Sequence, residues 1–366
     1  MSTIPEQMQA IVLTGHGDLD KLEYRTDWPV PRPGPGEVLI KVHACGLNNT
    51  DVNTRTGWYS KAVSEATTGG AYDEVDEDDP TWGGAPLTFP RIQGADVAGT
   101  VVAVGGDADA SLTGRRAMVE TWIRDPDDPT NLDKVGYLGS ERDGGYAQYM
   151  TIGADHVHPV DSTLSDAELA TFATSWVTAE NMLNRAGVDK GDTVLIPGAS
   201  GGVGSALIQL ANRRGATTIA MASASKQEAV AALGPHAVLD RAPDDLRAEL
   251  QRVIGTDTVS VVADVVGGDY FGTLIDVLAR GGRYTCAGAI AGPIVEFDMR
   301  TFYLKDLTFT GATVVPPGTF ADLVGYIERG EVKPVLAETY PLEKFHDAQR
   351  AFIKKQHIGN IVVTVP

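Results

Sequence analysis

Cysteine is scarce in this chain of 366 residues: only Cys45 and Cys286 occur. Two thiols exclude a disulfide framework and a four-cysteine structural zinc lobe, and both are read as small hydrophobes beside strands. Long apolar runs are also missing, so no segment is expected to span a bilayer. The N-terminal Met1-Ser2-Thr3-Ile4-Pro5-Glu6 has neither the basic head nor the apolar stretch of a secretory signal, and a cytoplasmic location is expected. Positive charge is short as well: 30 basic residues stand against 49 acidic ones, a net charge of -19, and only 11 of the basic residues are Lys. Such a surface repels nucleic acid and anionic membranes, so neither is expected as a partner. It suits a salt-rich cytoplasm, where counterions screen self-repulsion, and equally an ordinary acidic protein from a GC-rich bacterium. The charge therefore speaks to environment and not to chemistry.

What is present has a globular balance, 43% hydrophobic and 22% charged, in a chain long enough for two domains with proper cores. Up to about residue 105 the pattern is of short strands split by turns: Ala10-Ile11-Val12-Leu13, then a Pro/Gly-rich turn over 29–36, then Glu37-Val38-Leu39-Ile40-Lys41-Val42, and another strand over 98–105. Near residue 162 it changes. Ser165-Asp166-Ala167-Glu168 has the form of a capping box. Strands at 193–196, 218–221, 238–239, 259–264 and 282–287 then alternate with helices at 202–214 and 226–233, which predicts a doubly wound parallel sheet. Beyond Pro316 two helix-like segments and a terminal strand over 360–365 are expected to return to the first domain. Residues 64–86, with an acidic run over 73–79, and residues 122–146 are expected as solvated surface loops; the functional alternative is a lid or an interface arm.

The strongest chemical signal is Thr193-Val194-Leu195-Ile196-Pro197-Gly198-Ala199-Ser200-Gly201-Gly202-Val203-Gly204. An apolar strand runs into a glycine-rich turn that opens a helix, with a second strand about 20 residues on, as a dinucleotide fingerprint requires. Glycines let the backbone approach a pyrophosphate, and the helix N-terminus offers free N–H groups to it. Ala199 replaces the first glycine of the strict pattern. The next strand ends in Met221-Ala222-Ser223-Ala224-Ser225-Lys226, without the acid that holds the ribose 2′-hydroxyl of NAD. Ser223 can donate to a 2′-phosphate and Lys226 can neutralise it, so NADP(H) is the expected cofactor. The alternative for Lys226 is a solvated helix residue.

Together these stretches, with Pro35-Gly36-Glu37-Val38, Asp264-Val265-Val266-Gly267-Gly268, Gly281-Gly282-Arg283-Tyr284 and Gly359-Asn360-Ile361-Val362, resemble the zinc-independent quinone oxidoreductase branch of the medium-chain dehydrogenase/reductase superfamily. The resemblance implies an α/β fold in which a Rossmann doubly wound parallel sheet is inserted in a GroES-like β-rich catalytic domain. The expected division is 1–158 and 316–366 for the catalytic domain and 159–315 for the NADP-binding domain. The cofactor set would comprise Gly198, Ala199, Ser200, Gly201, Gly202, Val203, Gly204, Ser223, Ser225 and Lys226, with Val265 and Gly288.

Zinc-dependent members place a Cys where this chain has Asn48, a His where it has Ala95 of Gly94-Ala95-Asp96, and a third ligand at the position of Thr174. Amide, methyl and hydroxyl groups do not make a zinc site, so no metal is expected. The segment resembling Asn48-Asn49-Thr50-Asp51 would line the nicotinamide pocket. Asn48 is the candidate orienter and Tyr59 the candidate donor to the substrate oxygen; Thr50 and Asp51 belong to the same set. Asp51 is read as a brace more than a base, Tyr59 alternatively as a pocket wall, and His43 as a packed or surface histidine. Trp58, Trp122 and Trp176 are candidate walls of an apolar acceptor site or core residues. Asn360 stands where relatives commonly carry a Lys, which removes a charge.

The expected activity is NADPH-dependent hydride transfer to a quinone or an α,β-unsaturated carbonyl. Enoyl-thioester reduction, a zinc-free alcohol or aldehyde oxidoreductase, and a non-catalytic NADPH-binding protein are the alternatives. The strand around Leu307-Thr308-Phe309-Thr310-Gly311 lies where family dimers pair their sheets, so a homodimer is expected.

Overall fold

The computed structural model describes residues 4–72, 75–76 and 78–366. Asp73, Glu74 and Glu77 of the acidic run lie outside the described residues. Two compact units emerge: one of residues 1–63, 68–174 and 316–366, the other of 64–67 and 175–315.

The first unit is β-rich. Its central strand is Glu37–Gly46, buried along most of its length. The order across the sheet is Leu336–Pro341, Asn360–Thr364, Glu37–Gly46, Asp96–Val104, Arg116–Val119 and Val157–Pro159, with Tyr149–Gly153 also paired to the central strand. The C-terminal return is a matter of pairing: Val362, Val363 and Thr364 run antiparallel to Gly46, Cys45 and Ala44. Leu336–Pro341, which has no clear apolar alternation and was not anticipated, pairs parallel to the last strand and forms the sheet edge. One close approach requires a glycine. A Cβ on Gly99 would stand 2.4 Å from the Lys41 carbonyl oxygen of the neighbouring strand.

Residues 159–174, placed above with the dinucleotide-binding domain, cluster with this first unit. The physical reason is polar. Arg116 donates to Asp166 Oδ1 at 2.7 Å and to the carbonyls of Ser162 and Leu164, and His43 Nδ1 meets Asp166 Oδ2 at 2.9 Å. His43 is thus a half-buried brace. The expected capping box forms: Ser165 N donates to Glu168 Oε2 at 2.8 Å and Glu168 N to Ser165 Oγ at 3.2 Å, opening the short helix Asp166–Leu169.

The second unit is a six-stranded parallel sheet in the order Ala237–Asp240, Thr217–Ala222, Thr193–Ile196, Val259–Asp264, Leu278–Cys286, Thr308–Gly311. Helices cover it, among them Gly202–Arg213 and Leu246–Ile254. The core joins Leu195, Ile219, Met221, Val262, Phe271 and Leu274. Their alternation of apolar strand and one-sided helix is what a sheet buried on both faces demands. Strand order reverses beside Thr193–Ile196, so the carboxyl ends of Thr193–Ile196 and Val259–Asp264 flank a topological switch point, where open α/β sheets bind ligands. The helix expected over 226–233 is shorter: a 3-10 turn, Ala224–Lys226, leads into Gln227–Ala231. No helix among the described residues is long and apolar enough to cross a membrane.

Candidate active site

The dinucleotide turn is built by backbone geometry. Gly198 adopts φ +65°, which L side chains rarely take. Ala199 N donates to the Met221 carbonyl at 3.1 Å, and its methyl is fully buried, which is why alanine is accepted at that place. A Cβ on Gly204 would lie 2.4 Å from the Gly198 oxygen and 2.6 Å from Ala199 Cα, so the helix can sit this close to the strand only with glycine. A Cβ on Gly201 would meet nothing nearer than the Gly198 oxygen at 3.6 Å. The turn is therefore open in front of Gly201 and closed behind Gly204. The helix begins at Gly202, so the N–H groups of Gly202, Val203 and Gly204 lack intrahelical acceptors and suit an anion. This cradle fits a dinucleotide pyrophosphate, with Ser200 beside it.

Beyond the second strand, Ser223 and Ser225 bring their hydroxyls to 3.5 Å from each other. Lys226 follows, half-buried, its ammonium pKa lowered by that burial. Asp264, at the end of its strand, accepts from Val266 N at 2.7 Å and from the Tyr284 hydroxyl at 2.9 Å; burial pushes its carboxyl pKa up. It shapes the loop carrying Val265, and a Cβ on Gly288 would meet the Val265 carbonyl at 3.3 Å. All the candidate cofactor residues thus belong to one unit.

The candidate catalytic residues gather in the first unit around the helix Asn49–Thr56. Asn48 N donates to Asp51 Oδ2 at 2.8 Å, fixing the start of that helix. The same carboxylate oxygen accepts from the Tyr146 hydroxyl at 2.8 Å. Burial raises the Asp51 pKa to about 7, against the hydrogen bonds that favour its charge. Asp51 is therefore a buried brace in its geometry.

Around it lies a cluster that the residue types alone did not reveal. Tyr137 Oη and Thr174 Oγ1 are 2.7 Å apart, and Thr174 donates through both N, at 2.8 Å, and Oγ1 to Asp96 Oδ1. Burial raises the Asp96 pKa to about 6. Asn48 stands beside that carboxylate outside hydrogen-bond geometry, leaving Asn48 Nδ2 and Asp96 Oδ2 buried without partners. The positions aligned above with zinc ligands thus present an amide, a methyl group and a hydroxyl, with one carboxylate nearby. This donor set does not fit zinc, which takes thiolate, imidazole and carboxylate ligands in fours or threes. Asp96 was signalled by the retained acid of Gly94-Ala95-Asp96, whereas Tyr137 carried no signal.

Tyr59 is divided. The residue is 40% exposed, yet its hydroxyl is desolvated, with its pKa raised by burial, and the polar side chains of Thr50 and Asn53 stand beside it. Asn53 Oδ1 has no partner. The Tyr59 phenol can donate its proton or accept one.

The aromatic surroundings correct the expectation of solvated loops. Trp82, from 64–86, packs edge-on to Tyr59 at 5.0 Å and to Trp122 at 5.8 Å, and lies 6.1 Å from Tyr137. Glu141 ties the two loops, accepting from Gly83 N and Tyr137 N at 2.7 Å each and from the Thr81 hydroxyl at 2.5 Å. Aromatic burial and one shared carboxylate thus hold both segments down. Trp122 belongs to this cluster, Trp58 sits edge-on to Tyr59 at 5.6 Å, and Trp176 is a core residue at 1% exposure.

Comparison with known proteins agrees with this architecture. Residues 34–162 match the alcohol dehydrogenase GroES-like domain family, and residues 202–329 match the family described as zinc-binding dehydrogenase. The chain is 28% identical to the quinone oxidoreductase of Homo sapiens over 362 residues, 96% of each chain. It is 25% identical to the NAD-dependent alcohol dehydrogenase of Sulfolobus acidocaldarius, covering 98% of this chain and all of the other. A solved structure from Sinorhizobium meliloti 1021, provisionally assigned as an alcohol dehydrogenase, superimposes with a TM-score of 0.91 at 46% identity, covering 100% and 99% of the two chains. The glycine cradle, the sheet order and these likenesses converge: the chain is an oxidoreductase with a nicotinamide dinucleotide site and belongs to the medium-chain dehydrogenase/reductase superfamily.

Proposed function

We propose that this protein is a metal-independent, NADP(H)-dependent reductase of quinones or α,β-unsaturated carbonyls. The observation that carries the reading is the replacement of the metal-ligand positions by Asn48, Ala95 and Thr174, the last of them hydrogen-bonded to Tyr137 and Asp96. A carbonyl that is not polarised by a metal needs an acceptor that delocalises its own charge. A quinone or enone takes hydride at carbon and moves the electron pair to oxygen, which then takes a proton. The bound nicotinamide supplies the hydride. Tyr59 donates to the developing oxyanion, with Thr50 and Asn53 beside its hydroxyl, and Asn48 Nδ2, next to the Asp96 carboxylate, is a second donor that orients the substrate. Asp51 keeps the helix start in place through Asn48 N.

The preference for NADP(H) is supported by the end of the strand Thr217–Ala222, which lacks an acid and is followed by Ser223, Ser225 and Lys226. A homodimer is supported by the outer strand Thr308–Gly311 and by a neighbouring apolar face. Five of the eight exposed large apolar side chains among the described residues are Ile294, Val295, Met299, Tyr303 and Leu304. A patch of that kind marks an association surface.

The test follows NADPH oxidation at 340 nm with quinones, enones, enoyl thioesters and aldehydes, with and without chelator. Turnover of quinones or enones unaffected by chelator is expected. Chelator-sensitive turnover ends the metal-independent reading, and faster reaction with NADH ends the cofactor assignment.

A further inference from the structure

A cavity in the first unit opens beside the Tyr59 ring, walled by Trp82 and, from the 64–86 segment, by Asp76 and Asp79. Three of its lining residues carry buried polar atoms without partners: Asn53 Oδ1, Ser140 Oγ and Asp79 Oδ2. Asn53 is 6% and Ser140 3% exposed, so these are interior groups with unmet hydrogen-bonding capacity. Each such atom destabilises the fold by about 1–3 kcal/mol where nothing satisfies it. Three residues that line one cavity carry such atoms, which singles out this wall as a place shaped for something besides folding.

Their chemistry selects the occupant. Asn53 Oδ1 and a carboxylate oxygen accept hydrogen bonds and cannot donate; the Ser140 hydroxyl does either. No Lys or Arg is among the described residues lining the cavity, and Asp76 and Asp79 both contribute carboxylates. His16 also lines the cavity, its Nδ1 2.9 Å from the Thr54 carbonyl oxygen, so an anion there would meet two carboxylates with no Lys or Arg to offset them. Tyr59 and Trp82 meanwhile offer aromatic surface to a ring.

We propose that this cavity is the recognition subsite for the non-reacting part of the acceptor, and that it takes a small uncharged ring bearing hydroxyl groups. This deepens the reductase reading, on which the word acceptor rests; the binding of hydroxylated rings does not depend on it. Asp76 and Asp79 thereby act as a selectivity wall. Their carboxylates turn away carboxylated and phosphorylated acceptors, and the partnerless acceptor atoms receive ring hydroxyls once their side chains turn toward the cavity.

The experiment measures binding without cofactor, by quenching of tryptophan fluorescence, using rings that accept no hydride: catechol, 1,2-dimethoxybenzene, benzoate and benzylamine. Catechol is expected to bind at least 10-fold more tightly than its dimethyl ether, and benzoate not at all. Ser140→Ala should weaken catechol about 5-fold, leave the dimethyl ether unchanged, and hold or raise the Tm of the ligand-free protein, because an unsatisfied hydroxyl has been removed. Asp79→Asn, at a half-buried position that tolerates an isosteric amide, should also weaken catechol and admit benzoate. Equal binding of catechol and its ether, unchanged affinity in both variants, or a Tm lowered by Ser140→Ala overturns the proposal. Tighter binding of benzylamine than of catechol replaces the hydroxylated class by a cationic one and overturns it too. If no acceptor oxidises NADPH while the catechol pattern holds, the reductase reading fails and the subsite stands; the reverse outcome removes the subsite alone.

Discussion

The glycine turn of the second unit and the side-chain cluster of the first are built on opposite principles. The turn recognises through backbone: Gly198 acts by its positive φ, and Gly201 and Gly204 by what they lack, a Cβ on them standing 3.6 and 2.4 Å from the Gly198 carbonyl oxygen. The cluster around Asn48 recognises through side chains drawn from distant stretches, Tyr137, Thr174 and Asp96 among them, each adjustable by rotamer. A backbone site fails abruptly on substitution, whereas a side-chain site degrades by degrees.

The largest expected effect follows directly. Gly204→Ala forces a methyl to within 2.4 Å of the Gly198 oxygen, with backbone on both sides and no flexible side chain to yield. A loss of about 2–3 kcal/mol in stability is expected, with NADPH affinity reduced at least about 100-fold. Gly201→Ala is the control. Its methyl meets only the Gly198 oxygen at 3.6 Å, so Tm should hold while NADPH binding weakens by roughly 10-fold. Equal damage from both, by thermal melts and fluorescence titration, would show that the turn is not divided into an open and a closed side.

In the first unit Tyr59→Phe should lower kcat by about 100-fold while the Kd for NADPH and the Tm stay near wild type. Tyr137→Phe should cost less, since Tyr137 reaches Asp96 only through Thr174. The reverse order would move the proton donor from Tyr59 to Tyr137. A third substitution returns to the second unit: Ser223→Asp installs the missing acid and should shift the ratio of kcat/KM for NADPH over NADH by roughly 10–100-fold toward NADH. An unchanged ratio would leave Lys226 as the determinant, or the cofactor preference misassigned.

The contrast also explains what was legible in the sequence. The fold and the cofactor turn were readable because they rest on local patterns, an apolar strand, fixed glycine spacing and a capping box that forms at Ser165 and Glu168. Residues 64–86 were not, because polar composition conceals that Trp82 enters an aromatic cluster and that Thr81 and Gly83 bind Glu141 across the other loop. The strand Leu336–Pro341 escaped because its only pairing is with the chain's last strand. Asn48 and Tyr59 could be named from their stretch, but the Asp96 carboxylate beside Asn48 is brought there by tertiary structure. Ser140 had no local pattern to announce it.

The smallest expected effect concerns the two buried carboxyl groups. Asp51 titrates near 7 and Asp96 near 6, both raised by burial above the ordinary aspartate value of about 3.9. A folded state with a raised carboxyl pKa binds the proton more tightly than the unfolded chain. Its contribution to stability is complete below about pH 4 and is lost as pH rises through 6 to 7. Asp51→Asn fixes the neutral form at one of the two sites. At pH 5 the variant should melt below wild type, because the amide replaces one acceptor oxygen that serves Asn48 N and Tyr146. Between pH 5 and pH 8 the gap should move in the variant's favour by roughly 3 °C, while Asp96 titrates equally in both proteins. Parallel melting curves across that range would mean that Asp51 is charged throughout, held by those two donors, and the first unit would then carry a permanent buried anion beside Asn48.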